Sequence, residues 1–141
     1  MNDAVQPQIL PSKEQIKSFP LFQNLAFEQI HVIHCLEQCL SWAEQLNTAA
    51  VLGFDSESKP IFNKGEVSTG PHLIQLATAQ YAWLFQMNEE TWTFLKPIFS
   101  NRDQIKVGFG LKNDAHLFRK KSVELNSVLE LSKCFTSFGL T

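Results

Sequence analysis

Two acidic residues, Asp55 and Glu57, stand one residue apart at the end of an apolar run. Side chains alternate between faces along a strand, so both carboxylates are expected on one face and Ser56 on the other. Neighbouring carboxylates repel each other, and a proton, a basic partner or a divalent cation relieves that repulsion. No basic residue is closer in sequence than Lys59, which favours a cation. A solvated turn that ends the strand is the alternative interpretation of this pair.

A third acidic residue, Asp114, follows a strand-like segment and a turn that contains glycine. The segment is Lys106-Val107-Gly108-Phe109-Gly110-Leu111-Lys112-Asn113-Asp114. Glycine permits positive φ and a close approach of the backbone to another group. Asp is also a favoured N-cap residue, so Asp114 is either the cap of a helix predicted at 115–121 or an acidic ligand.

Hydrophobic patterns predict the elements that must position these acids. The apolar run 49–54 indicates a buried strand that stops at Asp55. Runs at 72–78 and 81–87, separated by two residues, predict a hairpin. Apolar residues at helical spacing predict one helix over 36–46. Other strands are predicted at 30–33, 104–108 and 123–125, and other helices at 12–18, 89–99 and from 129 onward. This order fits an α/β protein with a mixed sheet flanked by helices.

Residues 1–29 are predicted to form an N-terminal arm, and residues 30–141 a domain. The arm contains Pro7, Pro11 and Pro20 and shows little periodicity. Ser12 and Gln15 have the spacing of a capping box at the start of a short helix. The residues expected to anchor the arm on the domain are Ile9, Leu10, Phe19, Leu21 and Phe22.

Composition narrows the classes of function. The chain has 141 residues, a formal net charge of −2 and a pI of about 6.1. Proteins that coat nucleic acid are normally basic, but bound metal ions invert the sign of an acidic site, so a metal-dependent nuclease stays open. The first eight residues are polar, and no apolar run approaches the roughly 18 residues of a membrane span. Three cysteines without a leader predict free thiols and a cytoplasmic location.

In this order, the segments resemble the DEDD 3′–5′ exonuclease superfamily, and within it the ribonuclease D and Werner-exonuclease branch. The resemblance covers about Ile30 to Leu131. It is carried by Leu52-Gly53-Phe54-Asp55-Ser56-Glu57-Ser58-Lys59-Pro60, His72-Leu73-Ile74-Gln75-Leu76-Ala77-Thr78, Tyr81-Ala82-Trp83-Leu84-Phe85, and Lys106-Val107-Gly108-Phe109-Gly110-Leu111 with Asp114. Val123-Glu124-Leu125 is similar to the strand that follows the second motif of the family.

The resemblance implies a ribonuclease H-like fold, incomplete at its C-terminal end, and two Mg²⁺ or Mn²⁺ ions. Asp55 is expected to bridge both ions, Glu57 to serve the ion that activates water, and Asp114 to hold the other. Two such cations, roughly 3.5–4 Å apart, stabilise the attacking and leaving oxygens of an in-line displacement. The implied substrate is a single-stranded 3′ end of RNA or DNA, and the product is a nucleoside 5′-monophosphate.

The family's third motif, a Tyr or His four residues before a final Asp, is absent. The 27 residues after Asp114 contain no Asp, and the only Tyr is Tyr81. We therefore expect little or no exonuclease activity from this chain alone, and exposed apolar surface where later helices would cover the sheet. Three explanations stay open: a missing C-terminal segment, a degenerate module that binds nucleic acid or protein without catalysis, and an oligomer whose second subunit supplies the carboxylate.

Two further predictions concern cations and thiols. Lys59, Lys64 and Lys112 are the predicted contacts for substrate phosphates, because they are close in sequence to the acidic motifs. His31, Cys35 and Cys39 have a spacing that admits a zinc site, but buried free thiols are the favoured interpretation.

Overall fold

The computed structural model describes residues 11–137, so the predicted anchors Ile9 and Leu10 lie outside the described residues. The strands are β1 (Ile30–Ile33), β2 (Val51–Glu57), β3 (Leu73–Ala77), β4 (Ala82–Gln86), β5 (Ile105–Gly108) and β6 (Val128–Glu130). The helices are α1 (Lys13–Ser18), α2 (Leu36–Ser41), α3 (Ala43–Thr48), α4 (Glu89–Ser100), α5 (Leu111–Lys120) and α6 (Leu131–Ser137).

The six strands form one mixed sheet in the order β1-β4-β3-β2-β5-β6. Strand β3 is antiparallel to both β2 and β4, whereas the β1–β4, β2–β5 and β5–β6 pairs are parallel. All strands except β3 therefore run in one direction. Their last residues share one border of the sheet, the carboxyl edge, formed by Ile33, Glu57, Gln86, Gly108 and Glu130. The predicted α/β class with a mixed sheet is confirmed.

One face of the sheet, the covered face, packs against helices. Its buried side chains are Ile33, Leu52, Phe54, Ile74, Leu76, Trp83 and Phe85. Phe54 makes edge contacts with Phe99 of α4 and Phe118 of α5, with ring centroids 5.9 and 5.7 Å away. Trp83 makes an edge contact with Trp42, between α2 and α3. The hydrophobic core lies between this face and the helices.

The opposite face, the open face, keeps large apolar side chains exposed. They are Val32 (54%), Val51 (48%), Leu129 (45%), Ile105 (41%) and Ile30 (38%), spread from one end of the sheet to the other. The register pairs two of them, Val51 and Ile105, across neighbouring strands. The expected exposure of apolar surface on the sheet is therefore confirmed.

The helix predicted over 36–46 is wrong as a single element. Trp42 (φ −112°, ψ 7°) separates α2 from α3. Its indole packs between His31 and Tyr81, with ring centroids 4.4 and 4.9 Å away. These aromatic contacts reorient the chain, so that Leu40, predicted on the buried stripe, is 59% exposed.

The strand predicted at 123–125 is also wrong, because these residues end a helix. Ser122 has φ 58° and donates its N–H to the Arg119 carbonyl, while Val123 donates to the Phe118 carbonyl. This pair of bonds is a Schellman motif, in which the residue after the left-handed position packs against the helix. Val123 is accordingly buried, and the next strand, β6, starts only at Val128.

Three other boundaries differ from the predictions. Strand β2 continues through Asp55 to Glu57. Helix α5 begins at Leu111, four residues before the predicted start, so Asp114 lies in its first turn and is not its N-cap. Helix α4 continues past Pro97 to Ser100. The predicted hairpin is confirmed as β3–β4, and its turn is supported by the Thr78 hydroxyl, which accepts the N–H groups of residues 80 and 81.

The arm has the predicted capping box but not the predicted anchors. The Ser12 hydroxyl accepts the Gln15 N–H, and the Gln15 side chain accepts the Ser12 N–H. Phe19, Leu21 and Phe22 are 55%, 93% and 87% exposed, so they do not anchor the arm on the domain. Among the described residues, none of the helices has the length and apolar character to cross a membrane.

Candidate active site

Asp55 and Glu57 lie on the open face at the carboxyl edge. Their side chains are exposed, whereas Ser56 between them is half-buried, as the predicted alternation requires. In the register of the sheet, Asp55 is paired with Gln75 and Glu57 with Leu73. The two carboxylates are thus held by a strand with partners on both sides, although β5 pairs only with its first half.

Asp114 reaches the same edge from the next strand, through the tight turn between β5 and α5. Gly108 ends β5, and a Cβ at this position would collide with the Phe54 carbonyl oxygen. Only glycine lets the two strands approach this closely just before the turn. The helix then starts after Gly110, and the Asp114 side chain is 8% exposed.

Ser56 connects the two acidic motifs. Its hydroxyl donates a hydrogen bond to Oδ1 of Asp114, and its backbone N–H donates to Oδ1 of Asp55 at 2.9 Å. Burial raises the pKa of Asp114; the Ser56 hydrogen bond lowers it, and the charges of Asp55 and Glu130 raise it further. Asp55 and Asp114 are therefore close enough to repel each other, and a cation between them would relieve that repulsion.

Glu130 is a residue of this edge that the sequence patterns missed. Its Oε1 accepts the Leu111 N–H at 2.9 Å, and its Oε2 accepts the Ser132 N–H at 3.2 Å. These backbone donors, led by Leu111, lower the pKa of Glu130. A carboxylate at a helix N-terminus satisfies free N–H groups and stabilises the positive end of the helix dipole. Glu130 thus fixes the first turn of α5, which carries Asp114.

The structure brings only part of the predicted acidic set together. Within residues 11–137, there is no cluster of three or more His, Cys, Asp and Glu side chains arranged to hold a metal ion. Asp55 and Asp114 interact, whereas Glu57 lines a neighbouring cleft of about 510 Å³. That cleft is lined by Glu57, Ser58, Lys59, His72, Leu73, Gln86 and Met87.

The sequence matches the family model described as 3′–5′ exonuclease over residues 30–137. The match includes both acidic motifs and all six strands. The chain belongs to the 3′–5′ exonuclease domain family. None of the curated proteins matches it in sequence.

Solved exonuclease structures have the same fold. The EXO domain of Aedes aegypti Nibbler superposes with a TM-score of 0.70 at 21% identity, over 84% of this chain and 60% of that domain. Trypanosoma brucei RNase D in complex with RNA U12 gives 0.67 at 18% identity, over 78% of this chain and 40% of that one. The EXD2 exonuclease domain soaked in Mg and GMP gives 0.61 at 18%, over 77% and 58%. The chain thus spans 60% or less of the length of these proteins.

The donor set of this exonuclease domain fits a hard divalent cation in part. Carboxylate oxygens are the ligands that Mg²⁺ and Mn²⁺ prefer, and Asp55 provides them from β2 and Asp114 from the first turn of α5. Asp114 offers a nearly buried carboxylate beside a second negative charge, an arrangement that a cation would stabilise. The set lacks a third carboxylate within the same cluster of described residues.

The predicted lysines have different surroundings. Lys59 lines the cleft beside Glu57, and Lys112 lines a second, open groove with His116 and Arg119 on α5. Lys64 is exposed in the connection between β2 and β3. Their contact with phosphate stays a prediction.

The zinc alternative does not fit the structure. Cys39 is fully buried in the core, and burial, followed by the nearby Cys35, raises the pKa of its thiol to about 11. A zinc ligand must be a thiolate. None of the three cysteines, all of which lie in the described part of the chain, forms a disulfide.

Proposed function

We propose that this chain is the front part of a 3′–5′ exonuclease that removes nucleoside 5′-monophosphates from single-stranded 3′ ends. Asp55, Glu57 and Asp114 are the proposed ligands of Mg²⁺ or Mn²⁺, and Lys59, Lys64 and Lys112 the proposed phosphate contacts. The observation that carries the proposal is the pair of hydrogen bonds by which Ser56 joins Asp55 and Asp114, which come from different motifs and meet at one edge of the sheet.

The chain's own residues have distinct roles in this proposal. Ser56 holds both carboxylates through its N–H and its hydroxyl, so they are oriented before a ligand arrives. Glu130 fixes the helix start that carries Asp114. Divalent cations, when bound, would stabilise the charge of the attacking and leaving oxygens. Lys59 lines the cleft beside Glu57, which supports its proposed role in attracting the substrate backbone.

We further propose that the isolated chain is weak or inactive. The sequence contains no Tyr or His four residues before an Asp after Asp114. The group that positions the water is worth typically 10²- to 10⁴-fold in rate. The EXD2 exonuclease domain was soaked in Mg and GMP and T. brucei RNase D was solved with RNA U12, which supports a nucleotide ligand for this site as well.

A Mn²⁺ titration followed by thermal unfolding tests the cation site. The wild type is expected to be stabilised, since ligand at 100 times its dissociation constant adds about 2.7 kcal/mol. Asp55→Asn should remove this response, and Glu44→Gln, an exposed acid on α3, should keep it. A response that is equal in all three proteins would contradict the site.

The second candidate is a non-catalytic module on the same scaffold. It is favoured by one observation, the absence of a three-acid cluster among the described residues. The two candidates differ on a 3′-labelled oligonucleotide with Mn²⁺. Release of labelled mononucleotide that Asp55→Asn abolishes indicates the enzyme; slow release agrees with the proposed weak activity of the chain, and fast release refutes it. Binding of the oligonucleotide without cleavage, unchanged in Asp55→Asn, indicates the module.

A further inference from the structure

The connection between β2 and β3 stays at the carboxyl edge, beside Glu57. Because β3 is antiparallel to β2, residues 58–72 leave and re-enter the sheet at the same border. The connection contains two of the predicted phosphate contacts, Lys59 and Lys64, and an 85% exposed Phe62. Hydrogen bonds of His72, the last residue before β3, hold the backbone of this connection in position.

The backbone of His72 joins the strands on both sides of β3. Its N–H donates to the Glu57 carbonyl at 2.9 Å, and its own carbonyl accepts the Met87 N–H at 2.9 Å. These bonds extend the ladders by one residue beyond the ends of β2 and β4. The backbone of Glu57 is therefore tied directly to that of His72.

The ring of His72 joins the beginning and the end of the connection. Nδ1 lies 2.9 Å from the Lys59 backbone nitrogen, and Nε2 lies 3.2 Å from the Thr69 hydroxyl. A backbone N–H can only donate, so Nδ1 must accept and the proton of the neutral ring is on Nε2. Nε2 then donates to the Thr69 hydroxyl. Both ring nitrogens are used, one for each end of the connection.

The chain packs closely where the two ends meet. Gly70 is buried, and a Cβ at this position would collide with the Ser58 side chain and approach Nδ1 of His72 to 3.2 Å. Any larger residue there would push Ser58 and the ring apart. The absence of a side chain at Gly70 thus leaves the space that the contact between residues 58–59 and residues 70–72 requires.

The ring also forms part of the wall of the 510 Å³ cleft that Glu57 and Lys59 line. Lys59 is exposed, and its backbone N–H bond to the ring is the contact that determines where its side chain starts. Loss of the bond would release Lys59 and Ser58, the two residues that directly follow Glu57. The ring itself is half-buried and lies beside the proposed cation ligand.

We propose that His72 is a positioning residue of the exonuclease site, which rests on the proposed function. Through Nδ1 and the Lys59 N–H, it holds the segment after Glu57 in the course that presents Lys59 to the substrate backbone. It does not touch the reacting atoms. Its neutral ring accepts one bond and donates another, and the Lys59 bond is the one that sets substrate affinity.

Two conservative substitutions separate the two ring bonds. In His72→Asn, the amide oxygen takes the place of Nδ1 and keeps the acceptor for Lys59. In His72→Gln, the amide nitrogen takes the place of Nε2 and keeps only the donor for Thr69. Amide hydrogen exchange of Lys59 should be about tenfold faster in His72→Ala and His72→Gln, as expected for the loss of one hydrogen bond. It should stay near the wild-type rate in His72→Asn and in Thr69→Val.

Binding of a short fluorescein-labelled single-stranded oligonucleotide with Mn²⁺ supplies the functional measurement. The dissociation constant should rise about three- to tenfold in His72→Ala and His72→Gln, and His72→Asn should restore it. If the role of His72 were purely structural, the dissociation constants of all three variants would change in proportion to their loss of stability. His34→Gln, an exposed histidine that follows β1, is the matched control and should bind as the wild type does.

The outcomes distinguish this proposal from the function on which it rests. If the wild type binds in an Asp55-dependent manner but His72→Ala binds equally well, or if Lys59 exchanges equally in both, the positioning role is overturned. If the wild type shows no Asp55-dependent binding of oligonucleotide or Mn²⁺, the proposed function fails and the role of His72 in it fails too. Circular dichroism confirms that each variant folds, and His72→Gln supplies the same test if His72→Ala does not fold.

Discussion

The two faces of the sheet differ in what they contribute. The covered face packs Phe54, Trp83 and Phe85 against α4, α5 and Trp42, and these side chains are at most 5% exposed. The open face exposes Val51 and Ile105 to almost half of their surface and carries the acidic pair of the first motif. The same strands supply both faces, because their side chains alternate.

The two faces therefore have different roles, one in the stability of the fold and the other in the chemistry of the acidic residues. Apolar burial is the main favourable term in folding, so the covered face determines whether the chain folds. The acids lie where the two faces meet: Asp55 and Glu57 on the open side, and Asp114 and Glu130 at the start of the helix on the covered side. Ser56 is the hydrogen-bonded link between them.

The largest effect is expected for Phe118→Ala on the covered face. Phe118 is fully buried and contacts Phe54, Phe99 and Trp92. Its loss should lower the free energy of unfolding by about 3–5 kcal/mol, as for other buried aromatic residues. Val51→Ala on the open face is the control and should cost less than about 1 kcal/mol. Equal losses in urea denaturation would show that something covers the open face in solution.

The next largest effect is expected for Lys106→Met. Lys106 is fully buried, and its Nζ donates to the carbonyls of Ile98, Asn101 and Gln104 at 3.1, 2.8 and 2.7 Å. Methionine fills the space but leaves these carbonyls without the donor, so stability should fall by about 2–4 kcal/mol. Lys120→Met, at the exposed end of α5, should change stability by less than about 0.5 kcal/mol.

Lys106 also predicts a pH dependence. Burial lowers its pKa from 10.5 to about 8. Below pH 8 both states hold the proton, but between about 8 and 10.5 the unfolded chain binds more protons than the folded one, so stability rises with pH. The difference in stability between the wild type and Lys106→Met should therefore grow across this window. A difference that stays constant across this window would show that the three carbonyls keep the ammonium charged.

A smaller effect of opposite sign is expected for Asp114→Asn without divalent cations. The pKa of Asp114 is raised, so the charged carboxylate destabilises the fold at neutral pH. Asparagine removes the charge and keeps an oxygen for the Ser56 hydroxyl, so stability should rise by up to about 1 kcal/mol while Mn²⁺ binding is lost. Asp103→Asn, an exposed acid, should change neither. A destabilised Asp114→Asn would show that its charge is already compensated.

The smallest effect on stability is expected for Val51→Thr combined with Ile105→Thr. Both positions are exposed and paired in the register, and threonine keeps the β-branch. Stability should change by about 0.5 kcal/mol or less, yet binding of an apolar dye should fall because the open face loses exposed hydrocarbon. Unchanged dye binding would contradict the exposure of this face.

The sequence patterns predicted the elements that depend on local rules. The alternation of side chains predicted Asp55 and Glu57 on one face of the strand. The short gap at 79–80 predicted the hairpin, and the spacing of Ser12 and Gln15 predicted the capping box. The family and the α/β sheet were predictable because both acidic motifs occur in order over residues 30–137.

The errors come from contacts between residues distant in sequence or from cap geometry. Trp42 interrupts the predicted helix because it packs against aromatic rings of β1 and β4. The periodicity of the sequence does not reveal such contacts. Val123 looks like a strand residue but completes a Schellman motif. The burial of Lys106 depends on carbonyls at the end of α4, which no sequence pattern reveals. Glu130 was overlooked because a helix was predicted from residue 129, whereas β6 continues to Glu130.

The antiparallel direction of β3 determines one place where this domain can accept a longer connection. The segment between residues 58 and 72 begins and ends at one border of the sheet, and its ends are already joined by His72. Doubling the length of a closed loop costs only about 0.6 kcal/mol. Insertions and substitutions in this segment therefore cost the fold little free energy, although the segment lies beside the acidic residues. The length of this one segment can thus change without a change in any strand.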